Sequence, residues 1–327
     1  MERLQFVVMG AGAWGTAMAI HLAKLGHRVI LSPRNVDKAQ KMQEMRENPF
    51  YLPSIPFTDN LQVDAHFEAY LEDCEALFIA CPTQGLLEVC ERLKPYKTKI
   101  KRIISLVKGL ERNSLKTPSD WLSEHLPQVE CFCLSGPTYA KDFALGKRSA
   151  MVLASTHSTV DLQKAISNDT VRVYSSSDLR GVELGSCLKN IYALGAGILE
   201  GLQLGDNAKA AYLTRALHEM ARFGVQLGGQ KETFYGLSGL GDLFATAQGS
   251  WSRNRCFGEN FAKGQAIDDL LRDHVVEGYW SVGCFFNLAQ KIKFDAPILM
   301  ALYRALYENY PLKLAINDLM MRALKSE

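Results

Sequence analysis

The stretch Phe6-Val7-Val8-Met9-Gly10-Ala11-Gly12-Ala13-Trp14-Gly15, continued by TAMAIHLAKLGH, decides how this chain is read. Four apolar residues run into a glycine-rich turn, and a stretch of helix formers then closes near Gly26, so the segment reads strand, turn, helix. The three glycines serve different needs. Gly10 permits the tight turn, Gly12 lets backbone N–H groups approach a pyrophosphate, and Gly15 lets the helix pack on the strand with its N-terminus facing that anion. A second strand-like run, RVILS at 28, completes the opening unit of a dinucleotide-binding sheet.

The same alternation continues outward. ALFIA at 76, RIISLV at 102, FCL at 132, MVLAS at 151 and VRVY at 171 are short apolar or β-branched runs separated by helical stretches. That pattern predicts a mainly parallel, doubly wound sheet. Beyond about Leu184 the strand signal fades and helical periodicity takes over, at 184–199, 207–227, 239–247, 254–264, 280–291 and 297–307. The expected fold class is therefore α/β, with an N-terminal Rossmann-type domain over 1–180 and an all-α C-terminal domain over 181–327. A length of 327 residues, past the size at which one core stops growing, agrees with two domains.

Composition narrows the function classes. Apolar residues make up 47% and charged residues 22%, a globular balance, and the formal net charge is only +2. The densest cationic cluster, Lys97, Lys99, Lys101 and Arg102, is short and runs into a strand, which argues against a nucleic-acid stripe. No apolar run reaches the roughly eighteen residues of a membrane span, and no basic leader precedes the first strand, so a cytoplasmic protein without membrane insertion is expected. Eight cysteines are scattered singly and seven histidines lack ligand spacing, so no metal is expected.

The end of the second strand bears on the cofactor. An Asp or Glu there accepts from the adenosine 2′-hydroxyl in NAD-preferring proteins, yet this chain reads Leu31-Ser32-Pro33-Arg34-Asn35. Arg34 is placed to meet a 2′-phosphate, which favours NADP; as a solvated loop arginine it would leave Asp37 as an alternative ribose acceptor.

Nine segments follow one another in a recognisable order: GAGAWGTAMA at 10, NPFYLP at 48, LVKGLE at 106, SGPTYAKD at 135, VELGSCLKN at 182, GDNAKAAYLTRALHEMARFG at 205, GLSGLGDL at 236, SRNRCFG at 252 and VVEG at 275. Together they span nearly the whole chain, which resembles the bacterial NAD(P)-dependent glycerol-3-phosphate dehydrogenases. The resemblance implies reversible hydride transfer between NAD(P)H and dihydroxyacetone phosphate, a supply of glycerol 3-phosphate for phospholipid synthesis, and a homodimer.

It also implies roles for individual residues. Lys189 matches the family's catalytic lysine, and a ketone reduced by hydride needs such a proton donor at the developing alkoxide. Lys108, at the carboxyl end of a strand, resembles the lysine that touches cofactor and substrate. Asp242 looks like the carboxylate that orients the catalytic lysine, although an Asp there also suits a helix N-cap. Ser252, Arg253 and Asn254 resemble the clamp on the substrate phosphate, with Arg253 also at the cofactor. Gly136 and Thr138 match substrate contacts. Ala13, Trp14, Ala140, Val275 and Glu277 match cofactor contacts beside Gly10, Gly12, Gly15 and Arg34. Thr246 and Arg215 also match family positions, where a core threonine and a structural ion pair explain them equally well.

The chain departs from the pattern at Ser32-Pro33, at Asp142 and at Arg148-Ser149-Ala150. Other readings are a different hydroxyacid dehydrogenase of the same two-domain class, or a dinucleotide sensor without turnover. The clamp argues against the first, and the presence of Lys189 and Asp242 against the second.

Overall fold

The inner strands of a parallel sheet in the first half of the chain have both faces covered, so their sequences run apolar without alternation, whereas the edge strand VRVYSS at 171 alternates buried and exposed residues. The computed structural model describes residues 3–272 and 275–323. Within these, 3–108 with 116–183 form one unit, and 109–115 with the described residues from 184 onward form another.

The first unit contains β1 (Gln5–Met9), α1 (Ala13–Lys24), β2 (Arg28–Ser32), α2 (Val36–Met45), a small hairpin of β3 (Glu47–Asn48) and β4 (Leu52–Pro56), and β5 (Leu61–Val63). It continues through β6 (Cys74–Ile79), α3 (Leu86–Leu93), β7 (Arg102–Ser105), α4 (Pro118–His125), β8 (Glu130–Ser135), α5 (Ala140–Ala144), β9 (Ser149–Ala154), α6 (Val160–Ile166) and β10 (Val171–Ser176). Eight of these strands make one sheet in the order β10-β9-β8-β7-β6-β1-β2-β5. Every adjacent pair is parallel except β8 with β9. From β5 to β8 this is the order of a dinucleotide-binding sheet, with its switch point between β1 and β6. Phe6 and Val8 of β1 face one core cluster, while Val7 and Met9 face another on the opposite side. All four are buried, which is why FVVM reads as one unbroken apolar run.

The second unit is helical. Its central element is α7 (Leu179–Gly201), which begins in the first unit and whose residues 181–198 are all buried. A helix buried on every side is surrounded, and Leu213, Met220, Phe223, Phe234, Leu243, Phe257 and Phe285 lie in the same core cluster as its apolar side chains. These come from α8 (Gly205–Gln226), α9 (Lys231–Phe234), α10 (Asp242–Gln248), α11 (Arg253–Ala262) and α13 (Glu277–Ile292), which α12 (Ile267–Arg272), α14 (Pro297–Tyr307) and α15 (Leu312–Met320) accompany. No described helix is long and apolar enough to cross a membrane.

All seven expected strands are present, and RVILS at 28 coincides with β2. The three-residue β5 and the β3–β4 hairpin carry too few residues to leave a periodic signal. In place of a continuous helix over 239–247, a π-helical turn at Leu237–Gly241 leads into α10. π-helical turns often sit at functional sites, because they re-aim the residues that follow.

Candidate active site

The glycine turn is built as its spacing requires. Gly10 has φ +104°, and a Cβ there would lie 2.5 Å from the carbonyl oxygen of Ala80 at the end of β6. A Cβ on Gly15 would lie 2.0 Å from the Gly10 carbonyl oxygen, so the first turn of α1 can close on the strand only without a side chain. Gly12, the N-cap of α1, faces open space instead: nothing lies within 4 Å of its Cβ position. A concavity of bare backbone at a helix N-terminus fits a pyrophosphate.

Five buried polar atoms of this unit have no hydrogen-bond partner among the described residues: Trp14 Nε1, Thr58 Oγ1, Thr83 Oγ1, Trp121 Nε1 and Ser135 Oγ. Thr83 and Ser135 stand after and at the carboxyl ends of β6 and β8, the edge at which an open parallel sheet binds its ligand. Orphaned buried donors are costly and call for a partner that the chain does not provide. Trp14 in the first turn of α1, with Thr83 and Ser135 at the strand ends, fits a dinucleotide. Trp14 is held by Phe143, with ring centroids 5.0 Å apart, and Ala140 opens α5 just before that phenylalanine. Ala13 is the first residue of α1.

Asn48, fully buried in the NPFYLP segment, ties this turn to the hairpin. Its amide donates to the Ala11 carbonyl at 2.9 Å and to Thr16 Oγ1 at 2.7 Å, and its oxygen accepts from the N–H groups of Phe50 and Tyr51. Nothing local in NPFYLP marks Asn48 for this role, since both of its side-chain acceptors lie more than thirty positions away.

At the end of β2, Arg34 is exposed and meets Glu88 of α3, Nη1 to Oε2, at 2.9 Å. Asp37 stands in the first turn of α2, capped by Asn35. Ser32 is buried and donates to the Ala65 carbonyl, so this departure from the family pattern is absorbed locally. Lys108, half-buried after β7, donates from Nζ to the Gly136 carbonyl at 3.5 Å. Thr138 Oγ1 donates to the same carbonyl at 3.3 Å. Gly136 has φ +148° and no room for a Cβ, which would stand 2.9 Å from the Ala150 carbonyl oxygen. Of the other departures, Asp142 pairs with Lys147 at 2.7 Å, and Ser149 and Ala150 lie in β9.

In the helical unit, Lys189 is no surface lysine. Its side chain is 8% exposed and lies 2.9 Å from Asp242 Oδ1, itself 4% exposed. Lys189 Nζ also donates to Thr246 Oγ1 at 2.7 Å, and that hydroxyl donates onward to the Asp242 backbone carbonyl at 2.6 Å. The capping alternative for Asp242 does not hold, since Gly241 occupies the N-cap of α10 and Asp242 is its first residue. One turn separates Asp242 from Thr246, so a single helix face presents acceptors to one ammonium. A buried charge pair is retained only where geometry and further hydrogen bonds offset desolvation, and this one has both.

The SRN segment begins α11. Ser252 Oγ caps the helix by accepting from the Arg255 N–H at 3.2 Å, Arg253 is exposed, and Asn254 is buried. Asn254 donates to Asn190 Oδ1 and accepts from the Gly278 N–H, each at 2.8 Å. Asn190 directly follows Lys189 in α7, so this amide bridge ties the SRN segment to the lysine's helix and to the start of α13. Val275 is exposed just before α13, and Glu277 is its first residue. Arg215 is exposed on α8.

Two buried carboxylates outside this group have pKa values pushed up to about 7 by burial, Glu183 and Glu219. Perturbed carboxyls can mark active sites, but both serve here as structural acceptors. Glu183 accepts from the Ser119 N–H and hydroxyl at the start of α4; Glu219 accepts from Tyr192 and from the first two amides of α14 to follow Pro297.

A dinucleotide sheet with its glycine turn intact, followed by helices that bury a lysine against a carboxylate, defines an oxidoreductase of the nicotinamide-dependent class. Residues 5–161 match the family model described as NAD-dependent glycerol-3-phosphate dehydrogenase N-terminus, and 178–317 match the corresponding C-terminus. The chain belongs to the NAD-dependent glycerol-3-phosphate dehydrogenase family. It is 38% identical to a glycerol-3-phosphate dehydrogenase [NAD(P)+] of Nitrosomonas europaea, with 98% of each chain covered. The corresponding protein of Thiobacillus denitrificans is 40% identical over 99% of this chain and 100% of its own. Among solved structures, a crystal structure of glycerol-3-phosphate dehydrogenase from Coxiella burnetii superposes with a TM-score of 0.92 at 35% identity, covering 98% of this chain and 99% of that one.

Proposed function

We propose that this protein interconverts dihydroxyacetone phosphate and sn-glycerol 3-phosphate at the expense of NADPH or NADH, with NADPH preferred, as a cytoplasmic homodimer that supplies glycerol 3-phosphate for phospholipid synthesis. The observation that carries the reading is the buried Lys189–Asp242–Thr246 group. A bound nicotinamide supplies the hydride. Lys189 holds the proton that the ketone oxygen needs as it becomes an alkoxide, and takes it back in the reverse direction. Asp242 and Thr246 keep the Lys189 ammonium in one position, so little reorganisation is needed at the moment of proton transfer. Lys108 and the Gly136–Thr138 segment add polar contacts to the substrate, Lys108 reaching the cofactor as well.

Arg253, exposed at the head of α11, is suited to the substrate phosphate, with Ser252 and Asn254 beside it. Gly10, Gly12, Ala13, Trp14 and Gly15 hold the pyrophosphate end of the cofactor, with Ala140, Arg253, Val275 and Glu277 as further cofactor contacts. Support for NADPH comes from Arg34 and from the missing carboxylate at the end of β2.

The experiment is oxidation of NADPH, and separately NADH, by the purified protein with dihydroxyacetone phosphate, using dihydroxyacetone as the unphosphorylated control. Turnover that depends on the phosphate and runs faster with NADPH is expected. Equal use of both ketones overturns the clamp, equal use of both cofactors overturns the preference, and a monomer by light scattering overturns the dimer.

A further inference from the structure

Just past the end of β2, Arg34 forms an ion pair with a carboxylate carried by the helix of a different strand. Glu88 lies in the first turn of α3, which follows β6, whereas Arg34 follows β2, and β6 and β2 flank β1 on its two sides. Their side chains meet at 2.9 Å while 79% and 49% exposed. Other cations nearby are engaged differently: Lys38 lies over the rings of Phe50 and Tyr51, and Lys41 over Phe50. Asn35 is committed to capping α2.

We infer that Glu88 is a specificity-determining residue, holding Arg34 in an ion pair that NADPH binding has to break and that NADH binding leaves in place. This rests on the reading in which Arg34 meets the 2′-phosphate. A 2′-phosphate, with its high negative charge and several acceptor oxygens, wins a guanidinium from a carboxylate by charge-assisted bonds, but the lost pair is subtracted from the gain. NADH has only a hydroxyl at that position and does not compete for the cation. Glu88 therefore narrows the gap between the two cofactors by weakening NADPH alone, without an acidic residue at the end of β2.

The size is bounded by exposure. Solvent-screened pairs of this kind command at most about a fivefold change in an equilibrium constant. Dissociation constants for NADPH and NADH, read by quenching of tryptophan fluorescence on the full-length protein without substrate, test it. Glu88→Gln is expected to tighten NADPH by about three- to fivefold and to change NADH by less than about twofold. In an Arg34→Ala background the same change is expected to do nothing, since the cation that Glu88 restrains is gone.

An unchanged NADPH constant in Glu88→Gln, an equal gain for both cofactors, or a gain that persists without Arg34 overturns the inference. If Arg34→Ala lowers the NADPH-to-NADH affinity ratio while Glu88→Gln is inert, only the inference falls. If Arg34→Ala leaves that ratio unaltered, the assignment of Arg34 to the 2′-phosphate falls with it.

Discussion

Single residues carry the chemistry through their partners. In the proposed reaction Lys189 serves as the proton donor, and two acceptors fix its ammonium group, at 2.9 Å on Asp242 and 2.7 Å on Thr246. Lys189→Ala is expected to lower kcat by roughly 10²–10⁴-fold, the usual range for a lost general acid, with little change in the NADPH dissociation constant. Stopped-flow turnover together with fluorescence titration checks both halves, and a variant that still turns over at the parental rate refutes the role. Asp242→Asn leaves a buried ammonium without its counter-charge, for which about 3 kcal/mol or more of stability is expected to be lost. Urea denaturation measures this. The double variant Lys189→Ala/Asp242→Asn should lose less than the sum of the two singles, because both act on one interaction.

Elements decide where those residues stand. The long helix α7 buries Lys189 because its apolar residues lie on all its faces, which draws α8, α10 and α13 around it. Glu219 of α8 stitches this bundle by accepting from the N–H groups of Ile298 and Leu299 in the first turn of α14, each at 2.9 Å. Burial raises its pKa to about 7 from an ordinary 4.5. Between those values the native chain holds a proton that the unfolded chain releases, so the stability from this group is fully present below about pH 4.5 and is lost as pH rises through about 7. Glu183 contributes in the same direction. Urea midpoints compared at acidic and alkaline pH should therefore fall for the parent across this window, and fall less steeply for Glu219→Gln. An unchanged slope would show that Glu219 titrates normally in the folded protein.

For the whole molecule, cofactor and stability are linked. A ligand that binds only the native state stabilises it by about 2.7 kcal/mol when present at a hundred times its dissociation constant. NADPH is thus expected to raise the thermal midpoint of the parent and of Lys189→Ala alike. Gly15→Val places its Cβ 2.0 Å from the Gly10 carbonyl oxygen, so the turn must open and the NADPH-dependent rise should disappear. A rise of parental size in Gly15→Val, followed by differential scanning fluorimetry, would remove the turn from the cofactor site.

What the sequence determined by itself is local. Gly10 and Gly15 after four apolar residues specify the turn, because only a residue without Cβ fits where backbone meets backbone, while Gly12 keeps the concavity between them open. The alternation of apolar runs with helical stretches specifies the sheet, because parallel strands must be buried on both faces. Tertiary structure decided what distant segments do to one another. Nothing near Lys189 in sequence foretells the carboxylate and hydroxyl 53 and 57 positions on that share its ammonium, and nothing near Arg34 foretells Glu88, 54 positions away. The π-helical turn before Asp242 and the amide bridge of Asn190, Asn254 and Gly278 escaped sequence reading for the same reason. Hydrogen bonds and ion pairs depend on separations of about 3 Å between side chains, and those separations exist only after packing has brought the helices together.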